Sequence, residues 1–588
     1  MLMTMCWRQS ATHLSPLPRR LLAFTEIDAM NPDSAAEGSS APSLSFSAET
    51  LSLPLYTVAQ LRSIERAAMA PLSPHTLMGR AGQAAAQFII ERLPASHSYG
   101  PRVWLAAGPG NNGGDALATA TELHVRGVAV EVLLPTEPVG DDARWALERA
   151  RWAGVPIHAE WPPLAPRRGV DAHPSWYVDG LFGIGLGRAL DGRYGEIAAF
   201  LSSRRRDGHG VLALDIPSGL DSDTGLGTER GLVVAATHTL TFIGAKPGLF
   251  TGAGRDHAGS VWVAPLGLST ATAAPTETLD ASLGPLAWLN APAGFAAQLP
   301  RRKADSHKGS FGSLAVLGGD DGMVGAPVLS ARAALYAGAG KVHLALLSER
   351  GPAYDPLHPE IMLNRPDALA WDDISAFTIG PGMGQGSRAQ DWLQTLLAHP
   401  QPKVLDADAL NLIAGLDTLA RALQRHGHNA ILTPHPLECA RLLGCNTAEI
   451  QRDRLSAARA LAARYGCVVV LKGSGTVVAE ADGACALNPT GNPGLATGGT
   501  GDVLGGLLGA LLAQGCAPFP AACAAVYLHG LAADVMTAAG HGPAGLTASE
   551  LAPMFRTLLN RLVREADETE RGTALASAID MPTPTLDP

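Results

Sequence analysis

Short runs of consecutive apolar residues alternate along the chain with stretches whose apolar residues recur at helical spacing. Val58 to Arg92 shows the helical spacing, interrupted at Pro71 and Pro74. Strands that alternate with helices in this way form parallel sheets, because each helix carries the chain back to the start of the next strand. The pattern therefore predicts an α/β domain over residues 55–268, with buried strands at 103–107, 128–134, 176–178, 211–215 and 237–242.

The same alternation resumes further along and predicts a second α/β domain over residues 301–565. Residues 269–300 lie between the two and are rich in Ala, Pro and Thr, which is typical of a linker. Residues 566–588 are polar and contain proline, so we expect a flexible tail. The strands predicted in the second domain are 313–317, 342–346, 376–379, 403–405, 430–432, 468–471 and 476–478.

The first fifty residues have a different composition. They are basic at Arg8, Arg19 and Arg20 and then become rich in Ser, Ala and Pro. They contain no sustained apolar core, which argues against a secretory signal. We interpret residues 1–54 as a disordered extension or as the product of a misassigned start codon, with Met30 as the true start. A transit peptide is the alternative that the Arg and Ser content suggests.

Composition excludes several classes of protein. The chain carries 44 Lys+Arg against 54 Asp+Glu, a net charge of -10, which argues against nucleic acid as a main partner. Its seven cysteines contain no C-x-x-C pair, and its 18 histidines contain no H-x-x-x-H pair with a nearby Glu. We therefore predict no structural zinc, and reduced thiols in a cytoplasmic compartment.

One stretch raises the question of a membrane. No Asp, Glu, Lys or Arg occurs from Val503 to Ala533, and a membrane-spanning helix needs roughly 20 apolar residues. Gln514-Gly515 and the prolines at 518 and 520 interrupt the run. We predict two buried helices of a protein that does not enter a membrane.

A glycine-rich turn, Gly108 to Asp115 (GPGNNGGD), follows the first strand and begins a helix. Glycines allow a ligand close to the backbone, and the free amides of a helix N-terminus attract phosphate. We prefer a nucleotide site here to a turn that serves packing alone. The turn lacks the G-x-G-x-x-G pattern, and the next strand does not end in an acidic residue, which argues against a hydride-transferring Rossmann domain.

Two further loops follow strand ends in the same domain. Asp179 precedes a glycine-rich segment at 183–187, and Asp215 precedes Ile-Pro-Ser218. Ligands of parallel sheets bind where the carboxyl ends of strands meet, so these loops are expected to converge. Asn112, Asp179 and Ser218 offer oxygen donors with one carboxylate, a set that suits a hard, weakly charged cation. The alternative is that the two aspartates only cap turns.

The segments GPGNNGGD, VDGLFGIGL and VLALDIPSGLDSDTG resemble the NAD(P)H-hydrate epimerase domain, with a Rossmann-like three-layer fold around a parallel sheet. The resemblance implies K⁺ at Asn112, Asp179 and Ser218, and leaves Asp179 and Asp215 as candidates for the catalytic proton transfer. Ile184 replaces a common Thr and Ala116 a frequent Gly. The contacts implied with the hydrated dinucleotide are Asn111, Asn112, Gly113, Gly114, Asp115, Gly183, Ile184, Gly185, Leu186, Gly187, Arg188, Ala189 and Asp215.

A second glycine-rich segment, Asn492 to Asp502, precedes the uncharged run. Its glycines lie near a helix N-terminus, where backbone amides stabilise developing negative charge. Asp502 would repel phosphate, so its role as a general base is the better interpretation, with helix capping as the alternative.

Three other segments follow predicted strands of this domain. Lys472-Gly-Ser-Gly-Thr476 is a second turn that can face phosphate, and Asp406 and Asp408 offer two carboxylates. His435 lies between two prolines, which constrain the direction of its imidazole.

KGSFGSLAVLGGDDGMVGAP, IGPGMGQG, VLDADALNL, LTPHPLE and NPTGNPGLATGGTGDVLGGLLGALLAQG are together similar to the ADP- or ATP-dependent NAD(P)H-hydrate dehydratase, which has a ribokinase-like α/β fold. The similarity implies that Ala326, Gly384, His435 and Asp502 contact the hydrated dinucleotide. It implies an adenine nucleotide, accompanied by Mg²⁺, at Lys472, Gly473, Ser474, Gly475, Thr476 and Gly501.

These resemblances predict a bifunctional repair enzyme whose partners are small molecules, namely hydrated NADH or NADPH and ADP or ATP. The first domain would interconvert the R and S hydrates, and the second would dehydrate the S form. We expect a homo-oligomer. The alternatives are a ribokinase-like kinase of a vitamin or another hydroxymethyl substrate, and an N-terminal half that serves only as a binding module. The sequence does not choose between ADP and ATP.

Overall fold

The computed structural model describes residues 25–27, 53–93, 102–160, 175–187, 189–227, 231–268 and 285–579, with 25–27 and 569–579 as backbone elements only. The flexible tail predicted over 566–588 differs from the structure, because residues 566–579 belong to the last helix; residues 580–588 lie outside the described residues.

The N-terminal domain is built on a sheet of eight strands. Neighbouring strands are parallel, except that the edge strand β1 runs antiparallel to β9. β1 lies in the segment predicted to be disordered, and it is too short to show a hydrophobic pattern of its own. The order across the sheet is β1 (Thr25–Ile27), β9 (Ser260–Ala264), β8 (His238–Phe242), β7 (Gly210–Leu214), β6 (Trp176–Gly180), β3 (Arg102–Ala107), β4 (Ala129–Leu133) and β5 (Ile157–His158).

Helices cover both faces of this sheet and give the predicted three layers. Helices α2, α3 and α4 pack on one face and α5 on the other, each with its own buried cluster. The region predicted as interrupted at Pro71 and Pro74 is divided there into α1 and α2. The helices are α1 (Val58–Met69), α2 (Thr76–Ile90), α3 (Asn111–Val125), α4 (Asp141–Trp152), α5 (Gly192–Arg206) and the short α6 (Gly254–His257).

The C-terminal domain is built on a sheet of eleven strands. The strands from β13 to β17 are parallel, and β17, β18 and β19 form an antiparallel meander. The order is β13 (Met362–Asn364), β12 (Lys341–Leu346), β11 (Ser313–Gly318), β14 (Ala376–Ile379), β15 (Lys403–Leu405), β16 (Ala430–Leu432), β17 (Val468–Leu471), β18 (Val477–Ala479), β19 (Cys485–Leu487), β10 (Ala287–Leu289) and β2 (Pro54–Leu55). The predicted class of two α/β domains is confirmed.

Ten helices of this domain lie within the described residues, on both faces of the sheet. They are α7 (Gly325–Tyr336), α8 (Ser387–Leu397), α9 (Asp408–Gly415), α10 (Asp417–His426), α11 (Pro436–Leu443), α12 (Thr447–Arg452), α13 (Arg454–Tyr465), α14 (Thr500–Ala513), α15 (Pro518–Ala538) and α16 (Ala548–Ile579).

The predicted linker and the predicted N-terminal extension each contain residues that form strands in the structure. β10 lies inside 269–300 and pairs in parallel with β19, and β2 begins at Pro54, the last residue of the predicted extension, and pairs with β10. Leu55 also bridges to Ala245 of the first domain. Strands of two or three residues show no alternation, so their position is fixed by the neighbouring strand.

The two domains share a buried core. Leu249 and Phe250 from the first domain belong to the same cluster as Leu471 and Val477 from the second. A continuous apolar contact holds two domains together more firmly than a polar one, because separation would expose that surface to water.

The uncharged run forms α14 and α15, as predicted. Both are almost entirely buried. Within the described ranges, α15 is the one helix long and apolar enough to cross a membrane, yet 78% of that stretch is buried inside the protein. This confirms two buried helices.

The contact between α14 and α7 depends on glycine. A Cβ atom on Gly506 would lie 2.0 Å from the carbonyl oxygen of Ser330. We expect Gly506→Ala to lower the free energy of unfolding by about 1–3 kcal/mol, the usual cost of overpacking. Gly415→Ala is the matched control, since no atom lies within 4 Å of its added Cβ. Urea denaturation followed by circular dichroism compares the two; equal midpoints would contradict the prediction.

Two candidate active sites

A cavity of about 520 Å³ lies at the carboxyl ends of the parallel strands of the first domain. The three predicted loops converge there, after β3, β6 and β7. The predicted contact residues that line the cavity are Asn111, Asn112, Asp115, Gly183, Ile184, Gly185, Leu186 and Asp215.

The other predicted contacts lie outside this lining. Gly113 and Gly114 serve close packing, because added Cβ atoms would lie 1.8 Å from the Gly108 oxygen and 2.5 Å from the Met78 methyl. Gly187 and Ala189 lie beyond the lining residues, and Arg188 lies outside the described residues.

Asn112, Asp179 and Ser218 are all buried. Ser218 donates to Asp179 through its backbone N at 2.8 Å and its Oγ at 2.7 Å. Burial raises the pKa of Asp179 to about 6, although these hydrogen bonds oppose the shift. The Oδ1 and Nδ2 atoms of Asn112 are buried without a partner among the described residues. Since unpaired buried polar groups are rare, an orphaned amide near a buried carboxylate suits a cation.

Lys246, which the sequence reasoning missed, lies at the wall of the same cavity. It is 1% exposed, and its Nζ donates to Asp215, to Thr241 Oγ1 at 2.7 Å and to Phe242 O at 2.9 Å. Asp215 has a φ of 65°, a strained conformation for a residue other than glycine. Strain of this kind often accompanies functional side chains. Lys246 lies in the loop after β8, and its neighbours in the sequence gave no signal of a role.

Two further carboxyl groups line this cavity, Asp115 and Glu65. Burial raises the pKa of Asp115 well above its usual value, and the neighbouring Asp215 raises it further. Burial also raises the pKa of Glu65, again with help from Asp215. A carboxyl group that keeps its proton can donate a hydrogen bond to a substrate. Glu65 was not predicted, because α1 looks like a surface helix with one buried residue, Leu61.

In the second domain, Asp502 lies in the first turn of α14. Lys472 donates from its Nζ to Asp406 at 2.7 Å. Both groups are close to the helix start, since a Cβ on Gly501 would lie 3.5 Å from Lys472 Nζ and 3.9 Å from Asp406 Oδ2. Burial, and then Asp406, raise the pKa of Asp502 to about 6, whereas Lys472 lowers it.

A buried histidine fixes the start of this helix. His529 places its Nε2 3.0 Å from the carbonyl oxygen of Thr500. Burial lowers the pKa of His529 to about 4, so its imidazole is neutral and can donate to this oxygen. The hydrogen bond fixes the backbone of Thr500, the first residue of α14.

Ala326, Gly384 and His435 were also predicted to contact the hydrated dinucleotide. They follow the parallel strands β11, β14 and β16 in the chain. Gly384 N donates to Asp408 at 3.0 Å, and a Cβ on Gly382 would lie 3.5 Å from that of Ala326. His435 caps α11 with its Nδ1, and its Nε2 is 3.3 Å from Glu438. Burial raises the pKa of Glu438 to about 7.

The loop Lys472 to Thr476 is held by Arg454, a buried residue that was not predicted. Its Nη2 donates to the carbonyl oxygens of Leu471, Lys472 and Gly475 at 3.2, 3.2 and 3.4 Å. Burial lowers the pKa of Arg454 to about 10, so the guanidinium remains charged at neutral pH. A buried charge bonded to three carbonyls fixes the shape of the loop.

Comparison with known proteins finds matches for each half of the chain and for the chain as a whole. A model described as YjeF-related protein N-terminus matches residues 74–248, and one described as NAD(P)H-hydrate dehydratase matches 314–555. The bifunctional NAD(P)H-hydrate repair enzyme Nnr of Escherichia coli (strain K12) is 39% identical over 522 residues, covering 86% of this chain and 93% of that protein. The chain belongs to the family of bifunctional NAD(P)H-hydrate repair enzymes.

Two shorter proteins match about half of the chain each. The ADP-dependent (S)-NAD(P)H-hydrate dehydratase of Neisseria meningitidis serogroup B is 50% identical over 267 residues, covering 45% of this chain and 90% of that protein. A Bacillus subtilis ADP/ATP-dependent NAD(P)H-hydrate dehydratase, co-crystallized with ATP/Mg²⁺, is 34% identical, covers 47% of this chain and 98% of its own, and has a TM-score of 0.41. Membership of the bifunctional repair family confirms the predicted enzyme, an isomerase joined to a lyase.

The pKa of Asp502 predicts a pH dependence for the dehydratase of this repair enzyme. A general base acts when it is ionised, and burial raises this pKa to about 6. We expect kcat/KM for dehydration to fall about tenfold per pH unit below about 6, because protonation removes the active form, and to be level above it. Glu438→Gln is the control, since it removes a second carboxyl group whose pKa, about 7, lies in the same range. A flat profile between pH 5 and 8 would contradict a role for Asp502 as the base.

Proposed function

We propose that the first domain interconverts the R and S hydrates of NADH and NADPH, and that the second returns the S form to NAD(P)H at the expense of ADP, or alternatively of ATP. The observation that carries the dehydratase half is the position of Asp502, at the glycine-rich start of α14 and beside the pair of Lys472 and Asp406. A base and a set of anion-binding groups occur together there.

The proposed dehydration begins with phosphoryl transfer. Asp502 accepts the proton of the substrate hydroxyl as the hydroxyl oxygen attacks the terminal phosphorus of the nucleotide. The amides at the start of α14 and the Lys472 ammonium stabilise the negative charge on the transferring group. The P–O bond to the nucleotide breaks, and ADP becomes AMP. Mg²⁺ would enter with the nucleotide as the counter-ion of its phosphates.

The second step restores the ring. The phosphorylated carbon is bonded to the ring nitrogen, whose electron pair expels phosphate. Loss of a proton from the neighbouring ring carbon then forms the C=C bond of NAD(P)H. Hydrate and ADP thus give NAD(P)H, AMP, phosphate and a proton, and no oxidant is required.

For the epimerase, the geometry favours Asp215 over Asp179 as the residue that moves the proton. Asp179 is fully buried and bonded to Ser218, whereas Asp215 lines the cavity. Loss of the hydroxyl as water makes the carbon planar, and water returns on the other face. Asp215 accepts a proton from the returning water, and Asp115, whose carboxyl group lines the same cavity, supplies the proton that the leaving hydroxyl needs. Asn112, Asp179 and Ser218 would hold K⁺, which would supply positive charge next to these carboxyl groups.

The proposal is tested with separated R and S hydrates and with each nucleotide. We expect ADP to support rapid recovery of NADH from the S hydrate, and recovery from the R hydrate only through prior epimerisation. Absorbance of the reduced nicotinamide follows the product, and chromatography follows the epimers. A stable phosphorylated product without NADH would overturn the dehydratase proposal and favour the vitamin-type kinase.

The cation site has its own test. We expect epimerisation to slow about tenfold or more when K⁺ is replaced by a bulky organic cation, the size typical of a lost electrostatic contact. Asn112→Ala should lower the rate and abolish the dependence on K⁺, because the orphaned amide is part of the site. Dehydration of the S hydrate by the same variant is the control. An unchanged K⁺ titration in Asn112→Ala would contradict the assigned ligands.

A further inference from the structure

A short segment of the first domain lies against the nucleotide loop of the second. We call residues 247–255 the buttress and residues 472–476 the nucleotide loop. Thr251 Oγ1 and the backbone N of Gly252 donate to the carbonyl oxygen of Ser474 at 3.1 and 3.2 Å. Ser474 Oγ donates in return to Gly252 O at 3.2 Å.

The buttress completes a set of contacts that holds every carbonyl of the loop turn. Arg454 binds the oxygens of Lys472 and Gly475, and Thr476 Oγ1 donates to Gly473 O at 3.2 Å. Thr476 O accepts from Asn488 N at 2.8 Å. The oxygen that remains is that of Ser474, and the other domain binds it. Within the described part of the chain, the amides of residues 473–476 have no partner. Successive free amides of this kind form an anion-binding nest.

The loop is also shaped to fit the buttress. A Cβ atom on Gly475 would lie 2.2 Å from the carbonyl oxygen of Phe250, and Gly475 has a φ of 67°. Only glycine allows the two backbones this close at that conformation. The contact is therefore built into the loop as well as into the buttress.

A second residue of the buttress reaches the glycine-rich segment that leads to α14. Arg255 Nη2 donates to Pro489 O at 2.9 Å and to Gly491 O at 2.6 Å. Asp534 accepts from Gly491 N at 2.7 Å and from Asn492 Nδ2 at 2.8 Å. Burial lowers the pKa of Arg255, whereas Asp534 opposes that shift. Charges from both domains thus fix residues 489–492.

We propose that Thr251 and Arg255 of the epimerase domain are positioning residues for the nucleotide site of the dehydratase domain. They hold the nucleotide loop and residues 489–492 through hydrogen bonds to backbone carbonyl oxygens, so that the free amides face the phosphates of ADP. The inference rests on the proposed function of the nucleotide loop. In this chain the dehydratase site is complete only when the epimerase domain is docked.

The test uses full-length Thr251→Val and Arg255→Gln, with ADP as the ligand in calorimetry. We expect the Kd and the KM for ADP to rise about fivefold to tenfold, the size seen when residues of a coupling network are changed. The kcat at saturating ADP and the KM for the S hydrate should stay within twofold, because Asp502 and its surroundings are unaltered. Arg255→Lys keeps the charge and should recover part of the affinity.

Arg205→Ala is the matched control. Arg205 donates to Asp256 O at 2.7 Å and so touches the same region from the exposed side; its ADP affinity should equal that of the parent. Equal ADP affinity in the parent, Thr251→Val and Arg255→Gln would overturn the inference. A parent chain that binds no ADP would instead overturn the proposed function. If Arg255→Gln unfolds at a lower temperature than the assay, Thr251→Val decides.

Discussion

Asp502→Asn is expected to abolish recovery of NAD(P)H while the R and S hydrates still interconvert. The loss should be about 10²–10⁴-fold in kcat for dehydration, the contribution of a positioned general base. Asparagine has nearly the same size and cannot accept the hydroxyl proton. Epimerisation should stay within twofold, because its cavity is lined by residues of the first domain only. Two assays on the same variant, NADH absorbance and chromatography of the epimers, measure the two rates.

The affinity for ADP separates chemistry from binding in this variant. Removing a negative charge near the phosphates should leave the Kd for ADP unchanged or lower it. Asp417→Asn is the matched control, since Asp417 also lies in the first turn of a helix and its side chain is 91% exposed. Loss of both activities in a folded Asp502→Asn chain would contradict two separate sites, and retained dehydration would contradict the role of the base.

The sequence predicted the candidate sites best where they depend on strand ends. The loops after β3, β6 and β7 meet at one cavity because the carboxyl ends of parallel strands share one edge of the sheet. The position of Asp502 at a helix start was predicted in the same way, because the uncharged run directly after it indicates a buried helix. These features depend on local sequence and on the topology that the alternation predicts.

The residues that the sequence missed depend on contacts between distant elements. Lys246 meets Asp215 because β8 lies beside β7 in the sheet, with Leu214 opposite Leu240. Arg454 belongs to α13 and acts on a loop that follows β17. Neither residue lies in a glycine-rich segment, so local composition gave no indication of a role.

The shared interface could not be predicted for a different reason. The alternation of strands and helices defines each domain separately, and strands as short as β2 and β10 show no alternation of their own. Pairing of β2 with β10 depends on the tertiary arrangement. The prediction of a free linker therefore failed at the end where the chain joins the second sheet.

Lys246→Met is expected to slow epimerisation about 10²-fold or more at neutral pH, a general acid–base effect, and to leave dehydration of the S hydrate within twofold. Methionine keeps the length of the buried chain and removes the charge beside Asp215. Without the ammonium, Asp215 loses the buried partner that fixes its carboxylate at the wall of the cavity. Chromatography of the two hydrates measures the rate of epimerisation in both directions.

Two variants distinguish this role from a general effect of losing a buried charge. Lys403→Met is the matched control, because Lys403 is also 1% exposed but donates to the carbonyl oxygen of His399 in the other domain. It should leave epimerisation unchanged. Asp215→Asn removes the carboxyl itself, so its loss of rate should be at least as large. A Lys246→Met chain that epimerises within twofold of the parent would contradict the role assigned to Lys246.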